Sequence, residues 1–243
     1  MGLGVGIGVG PAHVHPATGL VLPGLDHLVA DWQLLEGAGQ VTADASGHGY
    51  DLQLGSTAGV DTNDPTWEAF GTLHSSDDYL LRTATEAALI PPAFTLAAIC
   101  DPVGASSLIT SWNVASIQNG FYANFNGNGA LLYFSGDLYR YWPAVDAGAW
   151  HTVVLTCPSR DVAGLVASQL WVDGVEATPG AQAATGAPVA TGDFSLGGNA
   201  KTGCAIHLAR VIEFNAALSS DAAAIAAYLR QWGEARKGLP FPT

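Results

Sequence analysis

The chain has 243 residues, 49% of them hydrophobic and 12% charged, which describes a globular protein with a sizeable core and not a disordered chain. Eight Lys and Arg stand against 21 Asp and Glu, a formal net charge of −13, so neither a nucleic-acid backbone nor an anionic membrane surface is an expected partner. The 30 Gly and 13 Pro call for many turns, which favours an all-β chain over a helix bundle.

The first ten residues read MGLGVGIGVG, with Leu3, Val5, Ile7 and Val9 alternating with glycine. A period of two is a strand signal, here with one aliphatic face and one bare face. Two readings stand: a first strand of the domain's own sheet, or an extended arm that pairs with another copy or another protein by strand addition. The segment has no basic stretch and no continuous apolar run, so no secretory signal is expected. The protein is then expected in the cytoplasm, or outside by another route such as a virion released by lysis. His13 and His15 follow as H-x-H. They are either a shared metal site on an extended segment or two polar loop residues.

From about Leu28 the text becomes short strand-like runs separated by turn residues. They include Val29–Leu35 around Trp32, Leu52–Leu54 after the dense turn segment 44–51, Phe94–Cys100 and Ser107–Trp112. Gly120–Phe125, Ala130–Ser135, Trp150–Cys157, Ser168–Val172, Phe194–Gly197 and Ile206–Phe214 complete the series. Asp173-Gly174 after the eighth of these is a hairpin turn. About ten or more strands at this spacing predict a two-sheet antiparallel sandwich. One helix is predicted near the end, capped by Ser219 or Ser220, with Asp221 at the positive end of its dipole. Its stripe is Ile225, Tyr228, Leu229 and Trp232, and Gly238 and Pro240 stop it. The chain thus divides into an extended arm (1–26), a β-sandwich (27–218) and a C-terminal helix with its tail (219–243). No stretch has the apolar length of a membrane span. Cys100, Cys157 and Cys204 are too few and too scattered for a disulfide framework or a C-x-x-C metal site.

Several of these segments carry a resemblance. Val29–Gly39, Asp44–Asp51 (D-x-S-G-x-G-x-D), Phe94-Thr-Leu96, Gly148–Thr156 (G-x-W-H-x-V-x-x-T), Leu170–Gly174 (L-x-V-D-G) and Val211–Ser219 occur in one order over residues 28–237. Together they resemble the laminin-G-like, concanavalin A-like jelly-roll superfamily. The resemblance implies a jelly-roll sandwich, and these motifs report a fold rather than a function. In the related pentraxins a disulfide joins the strands matching Phe94–Cys100 and Trp150–Cys157. Here both cysteines lie toward the C-terminal ends of antiparallel neighbours, so no Cys100–Cys157 bond is expected.

Glucanases of this superfamily place paired carboxylates on one strand. None of the six glutamates, Glu36, Glu68, Glu86, Glu176, Glu213 and Glu234, lies in such a motif, and no other catalytic motif appears, so the chain is expected not to be an enzyme. No cofactor is expected, with Ca2+ as the alternative at Asp61, Asn63 and Asp64, residue types that equally build turns. The sugar-contact candidates are Tyr139, Arg140, Tyr141, Trp142 and Asn124. On a strand Tyr139 and Tyr141 point one way and Arg140 and Trp142 the other, so one pair is core and the other exposed.

The leading expectation is a bacteriophage virion surface component, a head decoration or tail- and fibre-associated protein. It attaches to copies of itself or to other virion proteins through the arm and displays the jelly roll. It rests on the arm, the absent signal and catalytic motifs, the acidic charge, and the likeness to jelly-roll modules of phage particles. The alternative is a lectin-like carbohydrate-binding module, with or without calcium, that contacts host glycans. A diverged glycoside hydrolase is the third reading.

Overall fold

The computed structural model describes residues 19, 21–75, 78–82, 89, 91–103, 107–111, 122–126, 129–135, 138–143, 145–180, 182–184, 194–198 and 205–242. The strands are β1 (Leu28–Trp32), β2 (Val41–Thr42), β3 (Leu52–Leu54), β4 (Thr66–Glu68), β5 (Gly71–His74), β6 (Leu80–Arg82), β7 (Phe94–Pro102), β8 (Ser107–Ser111), β9 (Tyr122–Asn126), β10 (Gly129–Ser135), β11 (Leu138–Trp142), β12 (His151–Cys157), β13 (Gln169–Val172), β14 (Val175–Glu176), β15 (Gln182–Ala184), β16 (Phe194–Leu196) and β17 (Ile206–Phe214). Among the described residues two α-helices accompany them, α1 (Val162–Ala167) and α2 (Ala222–Lys237), with a 3-10 turn at Leu25–His27.

The strands form two sheets, antiparallel throughout. The first has eight strands in the order β14-β13-β12-β7-β17-β5-β4, with β1 beside β5 on the flank of β17. The second has nine, in the order β15-β11-β10-β9-β8-β16-β6-β3-β2. This is the expected all-β, two-sheet jelly-roll sandwich with a C-terminal helix. The arm residues Leu3, Val5, Ile7 and Val9 lie outside the described residues, as do His13, His15 and Cys204.

Strand periodicity explains the layers. In β7, Phe94, Leu96, Ala98 and Cys100 point between the sheets, while Ala97 and Ile99 point outward. In β12, Val153, Leu155 and Cys157 point inward and Val154 outward. Both faces of these strands are buried because α2 packs against β7, β12 and β13. Its expected stripe, Ile225, Tyr228, Leu229 and Trp232, is fully covered. Each such side chain contributes about 1.5–3 kcal/mol by leaving water. Leu22, Leu239 and Phe241 complete this outer layer. Between the sheets, Trp32 stacks on Phe194 at 5.2 Å and its indole N–H donates to the Tyr50 carbonyl at 2.7 Å.

The turns follow their chemistry. Asp173 and Gly174 both have positive φ (52° and 81°), as a two-residue hairpin of the mirror-image type requires. Gly238 ends α2 in the left-handed region, its N–H donating to the Glu234 carbonyl. The start of α2 differs from expectation. Asp221 precedes the helix without a side-chain capping bond, and the Ser219 hydroxyl lies 2.9 Å from Thr156 Oγ1 instead. The Asp44 carboxylate organises the 44–51 segment, accepting from the N–H groups of Asp31, Ser46 and Tyr50 and from the Ser46 hydroxyl. That motif is scaffold.

Candidate functional site

The β10–β11 hairpin creates the most site-like surface. Antiparallel pairing sets Tyr133 opposite Tyr139 and Leu131 opposite Tyr141. Residues directly opposite share a sheet face. β11 is buried at Leu138, Arg140 and Trp142 and half-buried at Tyr139 and Tyr141. The two tyrosine rings lie edge to face, with centroids 5.2 Å apart and planes at 72°. Arg140 and Trp142 point between the sheets, where Trp142 joins the core. Arg140 donates to the Leu165 carbonyl at 3.1 Å and sits 5.4 Å from the Trp142 ring, and its burial lowers its pKa. Arg140 and Trp142 are therefore corrected as sugar contacts: strand alternation turns them away from any surface a ligand meets.

Register extends the tyrosine row. Ala183, Tyr139, Tyr133, Tyr122, Ser111, Ser195, Leu81, Gln53 and Val41 occupy one line across all nine strands. Asn124 is opposite Leu131 and so in the row of Tyr141. Toward the middle of the sheet the row is covered: Leu81 and Ser195 are buried, and the Ser195 hydroxyl donates to the Gly198 carbonyl at 2.7 Å. The accessible ground is the β11 end. Among the described residues no helix lies on this face, because α1 closes the sandwich edge between β12 and β11–β15.

The Asp61–Asp64 loop is tied into itself. Asp61 Oδ1 accepts from the Asn63 N–H at 2.8 Å, and Oδ2 accepts from the Ser56 and Thr57 hydroxyls. Asp64 Oδ2 accepts from the Asp61 N–H at 3.0 Å. The Asn63 N–H bond is the largest influence on Asp61 and lowers its pKa. This is turn construction, and among the described residues no three His, Cys, Asp or Glu converge as metal ligands.

Four buried ionic features lie elsewhere. Arg210 and Asp31, both fully buried beneath α2, form a two-pronged pair at 2.8 and 2.7 Å, with Trp232 over the guanidinium at 4.5 Å. Burial opposes the charge on Arg210, but Asp31 outweighs it and raises its pKa. Glu213, opposite Leu96, is buried with neither carboxyl oxygen hydrogen-bonded, and burial holds its pKa well above the carboxylate range despite Arg160 nearby. His74 is buried between the sheets with Nε2 2.9 Å from the Thr72 hydroxyl, and burial takes its pKa down to about 3. His151 Nδ1 lies 2.7 Å from Asp173 Oδ2; burial lowers its pKa, but Asp173 reverses that to a net rise. Sequence reading missed these. The available signal was a charge inside an apolar run, as in VADW and LARVI, since buried charges need partners. Cys100 is opposite His151 and Cys157 opposite Phe94, so the two thiols lie at opposite ends of the strand pair.

No protein-family model matches the chain, and no curated protein matches it in sequence. Solved structures do. A Trypanosoma rangeli sialidase in complex with sialic acid superposes with a TM-score of 0.59 at 16% identity, over 88% of this chain and 34% of that one. The same enzyme as a covalent intermediate with 2,3-difluorosialic acid gives 0.60 at 17%, over 92% and 35%. Botulinum neurotoxin type C, described as entering cells through two ganglioside molecules, gives 0.58 at 11%, over 86% and 52%. The chain thus spans about a third of the sialidases and half of the neurotoxin chain it matches. At these identities the likeness shows the fold alone, a β-sandwich. It still corrects the expectation that the chain is not an enzyme: the similar structures include enzymes, so a missing paired-carboxylate motif does not exclude catalysis. The virion expectation gains no support from these structures.

Proposed function

We propose that this chain is a carbohydrate-binding module of the laminin-G-like, concanavalin A-like kind, with its contact surface on the outward face of the second sheet. The observation that carries the reading is the half-buried Tyr139–Tyr141 pair, held by β11 on a face that no helix covers among the described residues. Tyrosine rings offer an apolar surface for the C–H face of a pyranose and a hydroxyl for its polar edge. Asn124 holds a position in the same row as Tyr141. Support also comes from the fold's likeness to a neurotoxin described as interacting with gangliosides.

The test is a glycan array probed with the full chain, followed by calorimetry on the best hit. Tyr139→Ala with Tyr141→Ala should weaken that hit by at least about tenfold, roughly 1.4 kcal/mol, with the melting transition preserved. Undiminished binding by the double variant, or no binding to any glycan, overturns the reading.

A further inference from the structure

A concave feature lies apart from the tyrosine face, against a strand of the first sheet. Leu34, Leu35, Trp67, Glu68, Arg236 and Lys237 line a cleft of about 410 Å³ between β4, the segment after β1 and the end of α2. That volume accommodates a small ligand. The Trp67 indole N–H donates to the Gly39 carbonyl at 2.9 Å, which fixes a partly exposed ring at the cleft wall. Leu35, 48% exposed, adds an apolar surface that nothing in the described structure covers.

The charges are the informative part. Glu68 is already committed to His207 at 2.8 Å. The Lys237 ammonium donates to two neutral acceptors, the carbonyls of Leu34 and Phe70, both at 2.8 Å. Among the described residues neither Arg236 nor Lys237 has a carboxylate within ion-pair distance. Burial brings the Lys237 pKa down to about 8, Glu36 opposing and Arg210 reinforcing, as expected of a cation short of counter-charge. In a chain of net charge −13 with eight Lys and Arg, two cations line one cleft together with the Trp67 indole.

We propose that this cleft binds a small ring compound bearing a carboxylate, an acidic pyranose of the hexuronate class. Its apolar ring face lies on Trp67 and Leu35, and its carboxylate meets Arg236 and the remaining N–H of Lys237. The site is separate from the tyrosine face, since β4 belongs to the first sheet and β11 to the second.

The probe is D-glucuronate, with D-glucose as its uncharged counterpart, titrated into the full chain and followed by NMR at the indole N–H resonances. The Trp67 resonance is assigned by loss in Trp67→Phe. D-glucuronate should shift it saturably in the millimolar range, while D-glucose should not. Arg236→Gln, an exposed change that leaves the fold intact, should weaken binding by about tenfold. Tyr139→Ala with Tyr141→Ala should leave it unchanged, which separates this site from the proposed glycan face. Equal responses to the two sugars, an unaltered affinity in Arg236→Gln, loss of binding in the tyrosine variant, or no saturable shift each overturns the proposal.

Discussion

The two sheets solve the problem of covering their faces differently. In the first, β7, β12 and β17 are buried almost without interruption, since the second sheet covers one face and α2 with its flanking segments covers the other. In the second, β11 alternates, burying Arg140 and Trp142 and leaving Tyr139 and Tyr141 half-exposed. A sheet covered on both sides contributes stability and offers little surface. Where a sheet face is uncovered, as at the β11 end among the described residues, outward side chains can be lost without losing the core, and contacts have room to evolve. The fold's stability should therefore reside in the first sheet and the inter-sheet layer, and its recognition on the second.

The strongest way to break that division is through the pair under α2. Asp31→Ala leaves the Arg210 guanidinium fully buried without its carboxylate, which costs about 3–5 kcal/mol. The expected readout is a large drop in the urea midpoint of the full chain. Asp31→Leu with Arg210→Met, which removes both charges, should recover most of it, because the desolvation cost disappears with the charges. If Asp31→Ala proves nearly neutral, the first sheet is not the stability-bearing half.

A second test targets the layer between the sheets. His74 is neutral in the folded chain, its pKa taken by burial to about 3 against 6.5 when unfolded. The unfolded chain binds a proton between those values and the folded chain does not, so stability falls as pH drops from 6.5 toward 3, by up to about 5 kcal/mol. Glu213 works in the opposite direction. Its raised pKa keeps it protonated when folded, so its contribution is present below about 4.5 and is lost as pH rises toward the folded value. Urea midpoints measured from pH 4 to 8 should show His74→Asn flattening the acid limb and Glu213→Gln flattening the other. Unchanged limbs in both variants would mean that water reaches these groups and the inter-sheet layer is looser than described.

How much of this was readable in the sequence depends on how local each cause is. The strand Ile206–Phe214 was read with its observed bounds because its run is mostly apolar and ends in a turn, even with Arg210 and Glu213 inside it. α2 was legible from one stripe and a terminal glycine. Its cap was misread because the Ser219 hydroxyl answers to Thr156, a partner on another strand. α1 was invisible: Val162, Leu165 and Val166 have helical spacing, but six residues with a central glycine are too few to read as a helix, and its start depends on Asp161 accepting from the Gly164 N–H at 2.7 Å. Parity on β11 was legible, but its sign was not, since each pair contained an aromatic ring that could have filled the core. The Asp31–Arg210 pair spans 179 positions and Trp67 and Arg236 come to one cleft only across the fold, so no pattern along the chain could join them.

The smallest expected effect is the sharpest test of that sign. Tyr139 and Trp142 lie three residues apart on one strand, one on the free face and one in the core. Trp142→Ala removes a ring that is 3% exposed and leaves a cavity between the sheets, which costs about 3–5 kcal/mol. Tyr139→Ala gives up an edge contact with Tyr141 and partial burial, which costs about 1 kcal/mol or less. Chemical denaturation of the two single variants should separate them by several-fold in free energy. If Tyr139→Ala approached the cost of Trp142→Ala, the tyrosines would be covered in solution and the second sheet would have no free face at β11. The first sheet would then no longer be distinguished by burial, and the proposed glycan contact would lose its surface.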